Sequence, residues 1–139
     1  MSTPLIDRRH SLGHPDIDAD HAVIGDLWLR AVNCSRLEFP LHLARLKKAM
    51  QGHFERERML LAEVGRPLCI KHQAEHESLL RLCAEASHLY QSSWRRTQSH
   101  LRNRFAKMMR EHIVSMDLCT VLTIRTSDSA APPDRLTAE

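Results

Sequence analysis

Two pairs of side chains in this sequence are spaced for metal chemistry. His53 and Glu57 are four residues apart, and so are His72 and His76. Imidazole nitrogen and carboxylate oxygen are donors that first-row transition metals accept. On an α-helix four residues advance about 400°, so the members of such a pair stack one turn apart, about 40° from eclipsed. Two helices would each aim two donors along one line. His21 precedes these pairs, and His112 with Asp117 follows them. His112 and Asp117 are five apart, which on an α-helix turns them about 140° away from each other. One of the two can then serve a metal while the other reaches a different point, such as a second metal. Five imidazoles and two carboxylates buried without partners would cost several kcal/mol each. A metal centre removes that cost.

These donors need helices to carry them. Hydrophobic residues make up 42% of 139 residues, aromatics only 4%, and Gly and Pro number 4 and 6. That composition fits one globular domain of helices packed through Leu, Ala and Met. The spacing predicts four helices. The first runs from a cap at Asp16 or Asp18 to about Asn33, with Ile17, His21, Ile24, Trp28, Leu29 and Val32 inward. Gly25 within it would permit close approach of a neighbouring helix. The second starts near Pro40 and ends at Gly65, with Leu60 on its inward stripe. The third opens at Pro67, runs to about Tyr90 and has Leu80 on its inward face. The fourth is capped by Ser92 or Ser93 and reaches about Ile124. Short connections favour an all-α, up-down-up-down four-helix bundle over residues 16–125. Residues 1–15 read as an extended arm and 126–139 as a disordered tail.

The net charge of +3, from 20 basic and 17 acidic residues, is too mild to imply nucleic acid or a membrane surface. Arg95-Arg96 beside Trp94 adds little to that. No apolar run approaches the roughly 20 residues of a membrane span. The stretch 1–14 lacks the apolar segment of an export signal. The four cysteines form no CxxC pair and are expected as reduced thiols in a cytoplasm. Cys69 and Cys119 fall on helical stripes and are expected to be small buried residues. Of the ten histidines, His10, His14, His42, His88 and His100 lie outside the donor pattern and are expected at the solvent surface.

Taken together, Asp18-Ala-Asp-His21, His53-Phe-x-x-Glu57, His72-x-x-x-His76 and His112-Ile-x-x-x-Asp117 resemble the hemerythrins, in particular the single-domain bacterial type. The match spans about residues 14–125. The resemblance implies two iron ions (Fe2+/Fe3+) with a bridging oxo or hydroxo group. His72, His76 and His112 would bind one iron, His21 and His53 the other, and Glu57 and Asp117 would bridge them. Two octahedral ions offer about twelve positions. This donor set leaves one open, on the iron with two histidines, and dioxygen would bind there reversibly. Carriage, delivery or sensing of oxygen is the implied role. A di-iron oxidase, peroxidase or nitric-oxide-handling enzyme on the same scaffold is the alternative, and a metal-buffering or structural zinc bundle is a third. Trp28, Phe54 and Met109 are the expected apolar lining of the oxygen pocket. The family commonly carries Trp-Leu where this chain has Met108-Met109, and often a second Glu where it has Arg58.

Overall fold

The structure, a computed structural model, describes residues 3–129. Among these it is all-helical, with no strand, and four long helical stretches form the body. α1 spans Pro15–Asn33, α2 Phe39–Glu63 and α3 Ile70–Tyr90. The fourth stretch, α4, covers 94–129. It is α-helical over Trp94–His100, Ala106–His112 and Leu118–Ser129, with π-helical turns at Leu101–Phe105 and Ile113–Asp117. No helix among the described residues is long and apolar enough to cross a membrane.

The ends of the helices follow from local chemistry. Pro15 takes the first position of α1, where its missing N–H is not needed. His14 is the cap: its Nδ1 accepts from the Ile17 N–H at 3.3 Å. Asp16 and Asp18, the expected caps, sit inside the first turn instead. Asp18 turns back to accept from the N–H groups of Leu12 and Gly13 at 2.8 and 3.0 Å. α2 ends in a Schellman motif. Arg66 N–H bonds the Leu61 carbonyl, Gly65 N–H bonds that of Ala62, and Gly65 sits at φ +71°. Pro67 does not open α3. Cys69 is extended at ψ 153° and caps that helix at Ile70, leaving Pro67 in the connection. Ser93 caps α4, accepting from Arg96 N–H at 3.1 Å.

α1 packs along α2, and α2 along α3 and the last segment of α4. The first segments of α4 lie against α3, and the turn Leu101–Phe105 touches α1. Trp28, Phe39, Leu46, Leu79, Phe105 and Ile113 are fully buried between them. The Trp28 indole donates to the Leu101 carbonyl at 2.9 Å, joining α1 to the first π turn. Leu29, expected inward, is exposed, and Leu60 and Leu80 are only half-buried at the edge of the core.

The expected N-terminal arm is instead a strap packed on the helices. Leu5 and Leu12 are buried, and a single 3₁₀ turn spans Arg8–His10. Arg110 donates to the carbonyls of Pro4 and Leu5, and Arg125 to those of Leu12 and Gly13. Gly13 sits at φ +78°, where an added Cβ would also collide with the Arg125 guanidinium. The close approach at Gly25 is made by this strap, through Ile6, and not by a second helix. At the other end α4 continues through 126–129, part of the stretch expected as a disordered tail. The rest of that tail, 130–139, lies outside the described residues.

Candidate metal centre

Each of the four stretches turns donors into one interior point. α1 supplies His21, α2 His53 and Glu57, α3 His72 and His76, and α4 His112 and Asp117. All seven are buried, none more than 5% exposed. Every histidine presents Nε2 to a carboxylate. Asp117 Oδ2 lies 2.7 Å from His21 and 3.4 Å from His53, while Oδ1 lies 2.9 Å from His112 and 3.1 Å from His72. Glu57 Oε1 lies 3.0 Å from His53 and 3.4 Å from His76, and its Oε2 lies 3.2 Å from His72. The donors sort into two groups, each able to hold a metal ion: Glu57, His72, His76, His112 and Asp117 in one, His21, His53 and Asp117 in the other.

The approach of His112 to Asp117 corrects the expected 140° divergence. The chain between them is a π turn, in which Leu118 N–H bonds the Ile113 carbonyl five residues back. The i→i+5 pattern takes in one extra residue per turn and brings side chains five apart onto one face. Ser115 supplies a local cause. Its hydroxyl donates to the Glu111 carbonyl at 2.6 Å, and such back-bonding loosens the helical ladder.

The centre is under-satisfied as a purely protein structure. Both Glu57 oxygens, His76 Nε2 and His112 Nε2 are buried with no hydrogen bond. The short distances to these atoms are close approaches without hydrogen-bond alignment. Buried polar atoms are normally paired, and each that is not costs about 1–3 kcal/mol. Here four converge on one region, with the nitrogen and oxygen chemistry that divalent cations take. The residues fit a metal group.

Outside the donors, a second layer sets the ring orientations. Asp20 Oδ2 lies 3.0 Å from His53 Nδ1 and accepts from Arg56 Nε at 2.8 Å. Glu75 Oε1 lies 2.9 Å from His112 Nδ1, and Thr120 Oγ1 lies 3.3 Å from His72 Nδ1. A carboxylate on Nδ1 fixes the tautomer that frees Nε2 for a metal. Asp20→Ala is therefore expected to weaken metal binding about 10–100-fold, read by competition against a chelator. Arg56→Ala, which leaves Asp20 on His53, should change it far less. Equal losses in both variants would deny Asp20 its orienting role.

The titration of the cluster has the same logic. Burial pushes Glu57 up, but His53, His72 and His76 outweigh it and hold its carboxyl down at about 2. Burial likewise opposes ionisation of Asp117, yet its histidine neighbours hold it well below the ordinary range. Burial pushes His72 down, but Asp117 and Glu57 raise it to about 9. His53 is raised well above its ordinary value and His112 is raised, each by carboxylates that overcome burial. His76 is lowered, chiefly by burial. Without a metal the carboxylates favour the protonated forms of His53, His72 and His112, and a cation would take the place of those protons.

Of the expected pocket residues, Phe54 is at the centre. Its ring stacks on His76 at 3.8 Å and 10°. Met109 is fully buried in the core. Trp28 is held at the Leu101 turn, and no ring contact ties it to the histidines among the described residues. Sequence reasoning missed Asp20, Glu75 and Thr120 as supports. Asp20 and Glu75 each adjoin a donor in sequence, and the four-residue step from His72 or His112 does not reach across helices. Four of the five remaining histidines are not at the surface. His10 and His100 are buried, His14 and His42 half-buried, and only His88 is exposed. His10 Nδ1 accepts from Asp7 N–H at 2.9 Å, and His100 Nε2 lies 2.9 Å from the Leu82 carbonyl. Cys69 and Cys119 are exposed, contrary to expectation. No protein-family model, curated protein or solved structure matches this chain.

Proposed function

We propose that this chain is an oxygen-binding protein of the hemerythrin type, an up-down-up-down bundle whose two donor groups hold a pair of iron ions. The observation that carries the reading is the place of Asp117. One of its oxygens faces His21 and His53, and the other faces His72 and His112. A carboxylate so placed is suited to bridge two cations. Glu57 repeats the pattern, with His53 on one oxygen and His72 on the other.

Held by these residues, a pair of ferrous ions would supply the electrons for reversible dioxygen binding. The protein's part is positional. Three histidines belong to one donor group and two to the other, so with shared carboxylates an octahedral ion on the two-histidine side would keep a position for a small guest. Asp20 and Glu75 hold the rings of His53 and His112 so that Nε2 faces inward. Phe54 stacks on His76, and both line a cavity of about 490 Å3 that reaches this side of the centre. The absence of any exposed donor favours binding of a diatomic gas over a large substrate. All four cysteines are free thiols, which fits a reducing cytoplasm.

An anaerobic ferrous titration followed by oxygen tests this. The expected result is two irons per chain, one for each donor group, and a visible absorption that appears with oxygen and disappears under argon. Irreversible oxidation with continuous use of a reductant would replace the carrier with an oxidase. A chain that holds zinc and takes up no iron would end the proposal.

A further inference from the structure

Three sulfur donors lie beside the centre and belong to neither of its halves. Cys69 and Cys119 are both exposed, although free cysteine is among the residue types most often buried. They come from different elements, Cys69 from the cap of α3 and Cys119 from the last segment of α4. Both line one cavity of about 280 Å3 together with Met116. Met116 sits at the π turn Ile113–Asp117 and Cys119 just beyond it, and both open onto this cavity. Cys69 Sγ is set in place by the His72 N–H at 3.3 Å.

His72 also lines this cavity, but its ring is already engaged. Nε2 faces Glu57 and Asp117, and Nδ1 contacts Thr120. Among the described residues, neither thiol joins a group of three His, Cys, Asp or Glu donors within 4.8 Å. A structural zinc site takes four Cys or His ligands, and the two thiols alone fall short of that. What remains is two thiols and a thioether, the ligand set that selects Cu(I). Cys69 ends the non-helical connection 64–69, so its sulfur can move toward an ion without breaking a helix.

We propose that this cavity binds a soft monovalent cation, Cu(I), through the sulfurs of Cys69, Cys119 and Met116. Each thiol that binds gives its proton to the solvent, and no change of oxidation state is involved. The site is separate from the histidine–carboxylate centre and does not depend on which metal that centre holds.

The test uses the full chain under argon, with the centre metal-free and with it loaded. One equivalent of Cu(I) is added from a weak chelating buffer, and alkylation of each cysteine is followed by peptide mass spectrometry. Alkylation of Cys69 and Cys119 is expected to slow at least ~10-fold, as thiolate reactivity is lost to the metal. Cys34, half-buried and outside the cavity, should be unaffected. Cys69→Ser keeps an oxygen that can cap α3, so it should fold, and it should abolish the protection of Cys119. Met116→Leu should weaken protection at both thiols. Protection of Cys119 that survives Cys69→Ser, equal slowing at Cys34, or no slowing at all would overturn the proposal. Because each thiol is read individually and in both states of the centre, that outcome is separable from failure to bind iron.

Discussion

Asp117→Ala is expected to reduce bound metal from one ion per donor group to at most a single weakly held ion per chain. Among the described residues, Asp117 is the donor common to both groups. Its removal takes an anion from His21, His53, His72 and His112 at once. Loss of an orienting partner alone costs 10–100-fold in affinity, and loss of a shared donor should exceed that, at least ~100-fold for the pair. Metal content after gel filtration and a chelator competition both read this. The metal-free variant should also lose stability, and more at pH 5.5 than at pH 8. At low pH His53, His72 and His112 are charged with one carboxylate fewer beside them, a loss of at most about 3–5 kcal/mol. At higher pH they shed protons and the loss shrinks. Glu111→Ala, an exposed change on the same helix, should leave both measurements alone. Two tightly held ions in Asp117→Ala would show that Asp117 does not join the groups.

The helices and most of the donor pattern were legible because they rest on a single period. His53 with Glu57 and His72 with His76 obey the α-helical step of four, and burial of the stripe they share follows from it. His112 and Asp117 do not obey that step. Their convergence needs a π turn, and α-helical periodicity carries no sign of one; Ser115 is the one local hint. The N-terminal strap was illegible for a different reason. Leu5-Ile6 and Leu12 are apolar pieces too short to show a period, and guanidiniums more than a hundred positions away, those of Arg110 and Arg125, hold the Leu5 and Leu12 carbonyls. His100 misled because a buried imidazole can be satisfied by a backbone carbonyl, here that of Leu82. Cys69 misled because the helical stripe was extended one turn too far. The helix starts at Ile70, and the cap residue is turned outward.

Metal loading should release protons and raise the unfolding temperature, both in a pH-dependent way. His72, held at about 9, is protonated in the metal-free centre at neutral pH, and the raised values of His53 and His112 act in the same direction. Metals bind only neutral imidazole, so filling the centre should expel about two to three protons per chain near pH 7. Calorimetry in buffers of different ionisation enthalpy counts them. The same groups set the stability of the metal-free chain. The raised His72 contributes stability fully below its ordinary value of 6.5, and that contribution is lost as pH rises through about 9. The depressed Glu57 contributes fully above 4.5, lost as pH falls through about 2. The metal-free chain should therefore be most stable between those ordinary values, and metal affinity should climb from there toward pH 9 as the competing protons leave. Free metal at 100 times its dissociation constant adds about 2.7 kcal/mol per site. Two sites filled at that level would raise Tm by on the order of 10–20 °C. A loaded chain that melts with the metal-free one, or loading without proton release, would mean that the ions sit somewhere other than among these histidines.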